Sequence, residues 1–392
     1  MIRARSRWLT AVLVVLLATP PLSAQSTPAP APAQAPSPFS GLIFGNYNYL
    51  VPTTPAQLPG QIDNAFVLDR AYLTFRMPAG DHASIRITTD VYQTTENTPN
   101  AYTVRAKYAY LQYDQPKFSN GVSVFGRLGI LQNVVIDNIE TFWPRYISQT
   151  PVERAGYFAS ADMGIAAQYN LPNKLGELYT TIVNGPGYTT RENNRFKDYA
   201  MRLSLTPLAN QVDIPLLQTF TLTAWGYKGA LASSFVSSGV GQALNRSRAG
   251  VFVGIKDPRL QIGGEFDQRW DNGEQGTSVA TRIVTETTGR LLSGYTVARP
   301  MAFINASGAS RFGFLARYDK VTPAASTSGF VSPPPPLTNN EYHVFIGGLF
   351  YDLNQKAQFA LDYQEALDAA NSVGIVPPTQ SKTYYVHFLI NF

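Results

Sequence analysis

Apolar and polar residues alternate along most of this chain, and its last ten residues, TYYVHFLINF, show the pattern clearly. One set of alternate positions there is wholly apolar or aromatic: Tyr384, Val386, Phe388, Ile390 and Phe392. Because successive side chains of a β-strand point to opposite faces, the stretch predicts a strand with one apolar face and one mixed face.

Comparable segments follow one another from residue 39 onward, with no amphipathic helix of useful length between them. Each segment is about ten residues long, close to what a tilted strand needs to cross a bilayer. The predicted strands are residues 40–50, 65–77, 82–93, 103–114, 122–130, 162–170, 177–184, 198–206, 218–229, 247–256, 259–269, 298–306, 311–321, 341–352, 356–366 and 383–392.

The connections between these strands alternate between long and short. The tight turn KDPR at 256–259 follows a long connection at 230–246, and the longest connection is residues 131–161. Bacterial outer-membrane barrels have short periplasmic turns and longer outward loops. We therefore predict an all-β protein over residues 39–392, a transmembrane antiparallel β-barrel of about sixteen strands embedded in outer-membrane lipid.

Charged residues gather on one face of the predicted strands. In a membrane barrel that face lines a wet lumen, because an arginine facing mid-bilayer lipid costs about 2–4 kcal/mol. The predicted basic lumen residues are Arg70, Arg76, Arg86, Arg127, Arg202, Arg248, Lys256, Arg269, Arg311 and Arg317. The predicted acidic lumen residues are Asp90, Asp162, Glu265, Asp267, Asp319 and Asp362. The balance predicts a weak preference for anions.

The segment TVRAKYAYLQY breaks this rule. Arg105 and Lys107 share their parity with apolar neighbours such as Leu111. A β-bulge or a position at the membrane interface would each account for this, and the sequence leaves both open.

The start of the chain has the features of a secretory leader: a basic beginning, a short apolar run and small residues at 23 and 24. We predict a signal peptide at 1–24, a Pro/Ala-rich linker at 25–38 and export to the bacterial outer membrane. The leader holds three of the 31 basic residues and no acid, so the formal charge falls from +5 to +2 without it (28 − 26). A nucleic-acid partner is not indicated.

Cysteine is absent, and the three histidines, at 82, 343 and 387, are scattered. This composition excludes disulfides and thiolate metal sites and gives no histidine cluster for a metal. The sequence predicts no metal site, no cofactor and no catalytic site. A barrel enzyme is the competing class, but no serine is evidently paired with a histidine.

Four stretches resemble the phosphate-selective porin O/P family of outer-membrane porins. They are LDRAYLTFRM, the segment from FGRLGILQN to SADMG, TIVNGPGY and AMRLSLTP. The resemblance implies a porin, a homotrimer, and a C-terminal strand, marked by the five alternating residues above, that the barrel assembly machinery reads.

The connection at 131–161 is the third outward loop, which in general porins folds into the lumen and narrows it. Its charged residues are Asp137, Glu140, Arg145, Glu153 and Arg154. Opposed charges across a narrow pore create a transverse field that orients polar solutes. We expect passive diffusion of small hydrophilic solutes with a weak preference for anions, phosphate among them. The alternatives are a transporter of hydrophobic compounds and a structural barrel without conductance.

Overall fold

The structure, a computed structural model, describes residues 37–51, 63–93, 101–232, 244–275, 281–305, 309–326, 341–368 and 380–392. The predicted signal peptide and residues 25–36 of the predicted linker lie outside the described residues. Within the described residues, no helix is long and apolar enough to cross a membrane.

Sixteen antiparallel strands form one closed barrel, which confirms the predicted fold class. The strands are β1 Phe39–Val51, β2 Asn64–Pro78, β3 Ala83–Gln93, β4 Tyr102–Gln115, β5 Ser123–Gln132, β6 Ala161–Asn170, β7 Gly176–Val183, β8 Asp198–Leu205, β9 Thr221–Leu231, β10 Leu244–Asp257, β11 Leu260–Gln275, β12 Ile283–Ala298, β13 Phe312–Ser326, β14 Tyr342–Asp352, β15 Ala357–Asp368 and β16 Gln380–Asn391. The helices are α1 Val134–Ile139, α2 Pro151–Arg154, α3 Pro215–Gln218 and α4 Met301–Ile304, with a 3₁₀ turn at Pro172–Lys174.

The barrel closes where β16 pairs with β1. At the very end of the chain, the backbone N–H of Gly41 donates to the Phe392 carbonyl at 2.9 Å, and the N–H of Phe392 donates to the Gly41 carbonyl at 3.1 Å. The Phe392 ring lies across Gly41, where any added Cβ would overlap it. The terminal aromatic residue is therefore part of the seam.

The predicted two faces are present. Tyr384 of β16 and the terminal Phe392 point outward and are about half exposed (50% and 46%), whereas His387 of β16 points inward and is buried. With the outward face apolar, the charged residues fall inside the barrel or at its ends.

The irregular segment on β4 contains a β-bulge. Thr88 of β3 pairs with Tyr108 and Thr89 pairs with Ala106, so Lys107 is the extra residue. Lys107 and Tyr108 are consecutive and both buried inside the barrel. Of the two explanations that the sequence left open, the bulge is therefore the one that the structure supports.

One predicted strand, residues 298–306, is wrong. The twelfth strand is Ile283–Ala298, which pairs along its whole length with β11, and α4 at Met301–Ile304 follows it. Pro300 has no N–H to donate to a sheet ladder, which suits a turn and not a strand. Residues 283–297, which lie between two predicted strands, therefore belong to β12.

Candidate pore and constriction

Residues 133–160, between β5 and β6, fold back inside the barrel, and we call them the inner loop. Their apolar side chains are buried together with inward-facing residues of the wall. Trp143 and Val152 have no exposed surface, and Ile136, Ile139 and Tyr157 have 1%. This packing places the predicted constriction segment in the lumen.

Local sequence explains how the inner loop begins and ends. Asn133 caps α1, because its side-chain oxygen accepts hydrogen bonds from the backbone N–H groups of Val135 at 2.9 Å and Ile136 at 3.2 Å. The Asn133 N–H donates to the Ser160 carbonyl at 3.0 Å and ties the two ends together. Pro151 starts α2, where its missing N–H costs nothing.

Aromatic side chains join the inner loop to one side of the barrel. Phe142 packs on Phe252 of β10 with ring centroids 4.7 Å apart. Trp143 meets Tyr295 of β12 edge to face at 5.8 Å, and Phe158 meets Trp225 of β9 at 5.3 Å. The inner loop therefore covers one side of the barrel, which runs from β8 to β13 once its contacts with Arg202 and Arg317 are included.

Three wall side chains also bind backbone carbonyls of the inner loop. Arg317 donates to the Gln149 carbonyl at 2.5 Å, Gln364 donates to the Ile147 carbonyl at 3.0 Å, and Arg202 donates to the Val134 carbonyl. Arg317 also forms a buried ion pair with Asp319 at 2.6 Å. These side chains hold the inner loop against the wall.

The ten predicted basic lumen residues fall into three groups. Four lie on the wall that the inner loop covers: Arg202, Arg248, Arg269 and Arg317. Three lie on β2, β3 and β5: Arg70, Arg86 and Arg127. Three are exposed at the ends of strands, next to the short turns: Arg76, Lys256 and Arg311.

The wall formed by β2 to β5, which we call the basic wall, keeps its cations beside polar partners of its own. Arg70 lies 3.9 Å from Asp90. Arg86 donates to Gln132 at 3.2 Å, and Arg127 donates to Gln112 at 2.8 Å. The carbon stems and guanidinium planes also pack on aromatic rings, as Arg86 does on Tyr108 with 4.7 Å to the ring centroid.

Sequence parity missed two cations of the basic wall. Arg105 pairs with Asp90 at 3.1 Å. Lys107 donates to the hydroxyl of Tyr72 at 2.8 Å, and its ammonium group lies 4.1 Å from the centre of that ring. Both side chains point inward because the bulge reverses the alternation. In the sequence, Arg105 and Lys107 share their parity with apolar neighbours, and this exception was the sign that both could face inward.

The charged residues of the inner loop form one tight cluster and two separate groups. Arg145 binds Glu153 with both terminal nitrogens, at 2.5 and 2.7 Å, and also Glu140 at 2.5 Å. Although burial works against it, the Glu140 and Glu153 carboxylates raise the pKa of the Arg145 guanidinium. Asp137 accepts from Gln132 at 2.6 Å at the edge of the basic wall.

Arg154 differs from Arg145 in having weak partners. It donates to Ser148 at 3.3 Å and to Gln364 at 3.5 Å, and among the described residues it forms no ion pair. Burial lowers the pKa of its guanidinium, and the nearby charge of Arg317 lowers it further. Arg154 is the inner-loop cation left with charge to offer a passing solute.

A cavity of about 560 Å³ lies between the inner loop and strands β1, β2, β15 and β16. Arg70 and Asp69 line it from β2, and Arg145 and Arg154 line it from the inner loop. His387, whose Nε2 lies 2.8 Å from Asp362, also faces it. The cavity is large enough for a small polar solute and is surrounded by charges of both signs.

Three of the predicted acidic lumen residues, Asp162, Glu265 and Asp267, are held among other groups of the protein. Asp162 accepts from the backbone N–H groups of Gly185 at 2.8 Å and Gly187 at 3.1 Å, which joins the SADMG and NGPG stretches of the sequence. Glu265 and Asp267 are buried on β11 under the inner loop. Glu265 and Asp267 therefore do not reach open space, whereas Asp162 is half-buried.

No protein-family model matches the chain, and no curated protein matches its sequence. Among solved structures, the outer membrane channel DcaP of Acinetobacter baumannii is similar over 90% of this chain and 96% of that one, with a TM-score of 0.60 and 11% identity. An anion-selective porin from Comamonas acidovorans covers 90% and 98%, with a TM-score of 0.57 and 9% identity. The trimer form of OmpT, an outer membrane protein of Vibrio cholerae, covers 90% and 98%, with a TM-score of 0.56 and 11% identity.

The closed sixteen-strand barrel and these similarities define the fold as that of the outer-membrane porins. At such low identity the likeness is one of architecture. Pore chemistry has to be inferred from this chain's own residues.

Proposed function

We propose that this protein is an outer-membrane porin, a water-filled channel for passive diffusion of small hydrophilic solutes, with a weak preference for anions. The main support for this proposal is the inner loop, a charged segment that folds inside a closed barrel and is held to one wall by Arg317, Gln364 and Arg202. Such a loop narrows a lumen without filling all of it, and the 560 Å³ cavity lies beside it.

The sign of the preference follows from the charges of the basic wall and of the inner loop. The basic wall carries six inward cations and three carboxylates, a net +3 (6 − 3): Arg70, Arg76, Arg86, Arg105, Lys107 and Arg127 against Asp69, Asp90 and Asp114. The inner loop carries two arginines and three carboxylates, a net −1 (2 − 3). Opposed charges give a transverse field, and the total of +2 favours anions weakly.

Finer parts of the proposal have narrower support. A homotrimer is consistent with the similar barrel whose printed form is a trimer. Anion preference is consistent with the similar anion-selective porin. Export by a signal peptide at 1–24 is proposed from the sequence pattern, and reading of β16 by the barrel assembly machinery is proposed from the resemblance to a porin family. Arg145 is already neutralised by two carboxylates, so it adds no free positive charge for a preference for phosphate over other anions.

A structural barrel without conductance is the second candidate, and a specific observation favours it. The inner loop buries three aromatic side chains, Phe142, Trp143 and Phe158, which all pack on the wall. A lumen closed in this way would pass no current. We place catalysis below both, since His343 and His387 lie beside Glu341 and Asp362, as ordinary wall pairs do.

Single-channel recording in planar bilayers tests the proposal. The purified protein should give stepwise conductance, and a salt gradient should give a reversal potential of the sign expected for anion preference. A variant in which residues 135–158 are replaced by a short Gly-Ser linker should conduct several-fold more. Resistance of the folded barrel to detergent on a gel checks that the variant has folded. Absence of steps from the folded native protein would favour the structural barrel.

A further inference from the structure

The outward face of the barrel is unevenly charged. Across the described residues of β1 to β8, no outward-facing strand position carries a charged side chain. Aromatic and apolar residues occupy its upper part, among them Phe66 and Tyr199. In contrast, β9, β12 and β13 each carry one outward cation toward the end that leads to a long loop, and β12 also carries the outward carboxylate of Glu286, four residues from Arg290.

These three cations lie across five successive strands, with Lys228 on β9, Arg290 on β12 and Lys320 on β13. Arg290 pairs with Thr322, so Lys320 is its diagonal neighbour, about 7–8 Å away. Lys228, Ser247, Trp270 and Thr288 are successive cross-strand partners, which sets Lys228 roughly 15 Å from Arg290. We call these three residues the outer cation row.

The charges of the outer cation row are largely free. Lys228 donates to Ser247 at 3.1 Å and also to Asn245, both neutral side chains. Among the described residues, neither Lys228 nor Arg290 forms an ion pair. Lys320 is 3.1 Å from Glu341 and 44% exposed. At least two full positive charges therefore face away from the barrel.

The row lies at the upper border of the apolar band. Arg290 occupies the outward position next to Leu292, which is 52% exposed, and Lys320 occupies the one next to Tyr318, which is 45% exposed. Trp270 faces outward between Lys228 and Arg290. Amphipathic aromatics and long cations are the residues that occupy the level of lipid headgroups.

We propose that the outer cation row binds phosphate groups on the headgroups of the outer-leaflet lipid. The inference rests on the proposed outer-membrane location and not on conductance. Two anchoring points about 15 Å apart, each with hydrogen-bond donors nearby, suit a headgroup with more than one phosphate. The uncharged upper face of β1 to β8 has no such complement, so the bound lipid should lie on one side of the barrel.

Lipid retention by the purified full chain tests the inference. The protein in detergent is mixed with bis-phosphorylated lipid A, with its dephosphorylated form, or with inorganic phosphate, and bound lipid is counted by native mass spectrometry. The native protein should retain the phosphorylated lipid. The triple variant K228Q/R290Q/K320Q should retain it at least about tenfold less well, because each cation near a membrane surface adds to the binding of anionic headgroups.

A matched variant removes the same charge elsewhere. Lys117, Lys174 and Lys356 are exposed at the short-turn end of the barrel, and K117Q/K174Q/K356Q should retain lipid like the native protein. Equal loss in both variants, retention of the dephosphorylated lipid as well as the phosphorylated one, or displacement by low inorganic phosphate would overturn the inference. Conductance should be the same in both variants, so failure here is separate from failure of the porin proposal.

Discussion

Two walls of the lumen carry inward-facing arginines, and they differ in what lies against them. On the basic wall, Arg127 and Arg86 bind glutamines and aromatic rings of the wall region and are only half-buried. On the covered wall, β8 to β13 with Gln364 of β15 beside it, Arg317 binds a carbonyl of the inner loop and has no exposed side-chain surface.

The comparison separates two roles that the same residue type can have. A cation next to water acts on passing solutes at distances up to a Debye length, about 8–10 Å at physiological salt. A cation under a loop satisfies buried carbonyls and carboxylates and contributes to stability instead. Counting inward arginines therefore overstates the charge that a solute meets.

The largest expected effect comes from cutting an anchor of the covered wall. Arg317→Gln leaves Asp319 buried without its partner and removes the donor to Gln149, so the free energy of unfolding should fall by about 3–5 kcal/mol. Denaturant unfolding in lipid vesicles, followed by tryptophan fluorescence, measures this. The inner loop should also detach, giving larger and noisier single-channel currents.

Arg127→Gln on the basic wall is the matched control for that change. This change should lower the free energy of unfolding by less than about 1 kcal/mol, since Arg127 is half-buried and its contacts are to neutral groups. If both variants lose the same stability, the distinction between the two walls is wrong.

A smaller effect is expected from an uncharged anchor. Gln364→Leu removes the hydrogen bond to the Ile147 carbonyl and should lower the free energy of unfolding by about 1–2 kcal/mol. Gln168 of β6 bonds only within the wall, to Asn170 and Glu177. Gln168→Leu should therefore lower the free energy of unfolding by a similar amount without changing the noise of the single-channel current. Gln364→Leu should increase that noise. Identical recordings from the two variants would show that Gln364 does not hold the inner loop.

Much of the fold could be predicted from the sequence because lipid imposes a strict alternation. The last strand and the alternation of loop lengths both follow from it. β12 was misplaced because residues 283–298, IVTETTGRLLSGYTVA, mix threonine and glycine into both faces and blur the pattern. Pairing with all of β11 decides that strand's position, and pairing is not visible in a single segment.

The site was less predictable, for a physical reason. Parity says which face a side chain occupies, but not which wall a folded-in loop will cover. Arg202 and Arg127 look alike in sequence, yet only Arg202 meets the inner loop. Lys107 was hidden by a bulge, since one extra residue moves the following side chains to the other face.

The basic wall should set the ion preference. The triple variant R86Q/R105Q/R127Q removes three of its six cations and should lower the anion-to-cation permeability ratio by about two- to threefold at low salt, less at high salt because of screening. Reversal potentials in a salt gradient measure the ratio. K228Q/R290Q/K320Q, with the same charge change on the outward face, should leave the ratio unchanged. A shift as large in that variant would mean that lumen position does not matter.

The smallest effect should come from the inner-loop cluster. In E140Q/E153Q the Arg145 charge is no longer neutralised, and the net charge of the inner loop changes from −1 to +1 (two arginines against Asp137). The anion preference should therefore rise, by less than about twofold, because Arg145 is mostly buried and the gap is screened by salt. Arg145→Gln should move the reversal potential in the opposite direction. Opposite signs from the two variants would place the cluster beside the ion path. The same sign, or no shift from either, would mean that solutes pass elsewhere and that the cluster only stabilises the inner loop.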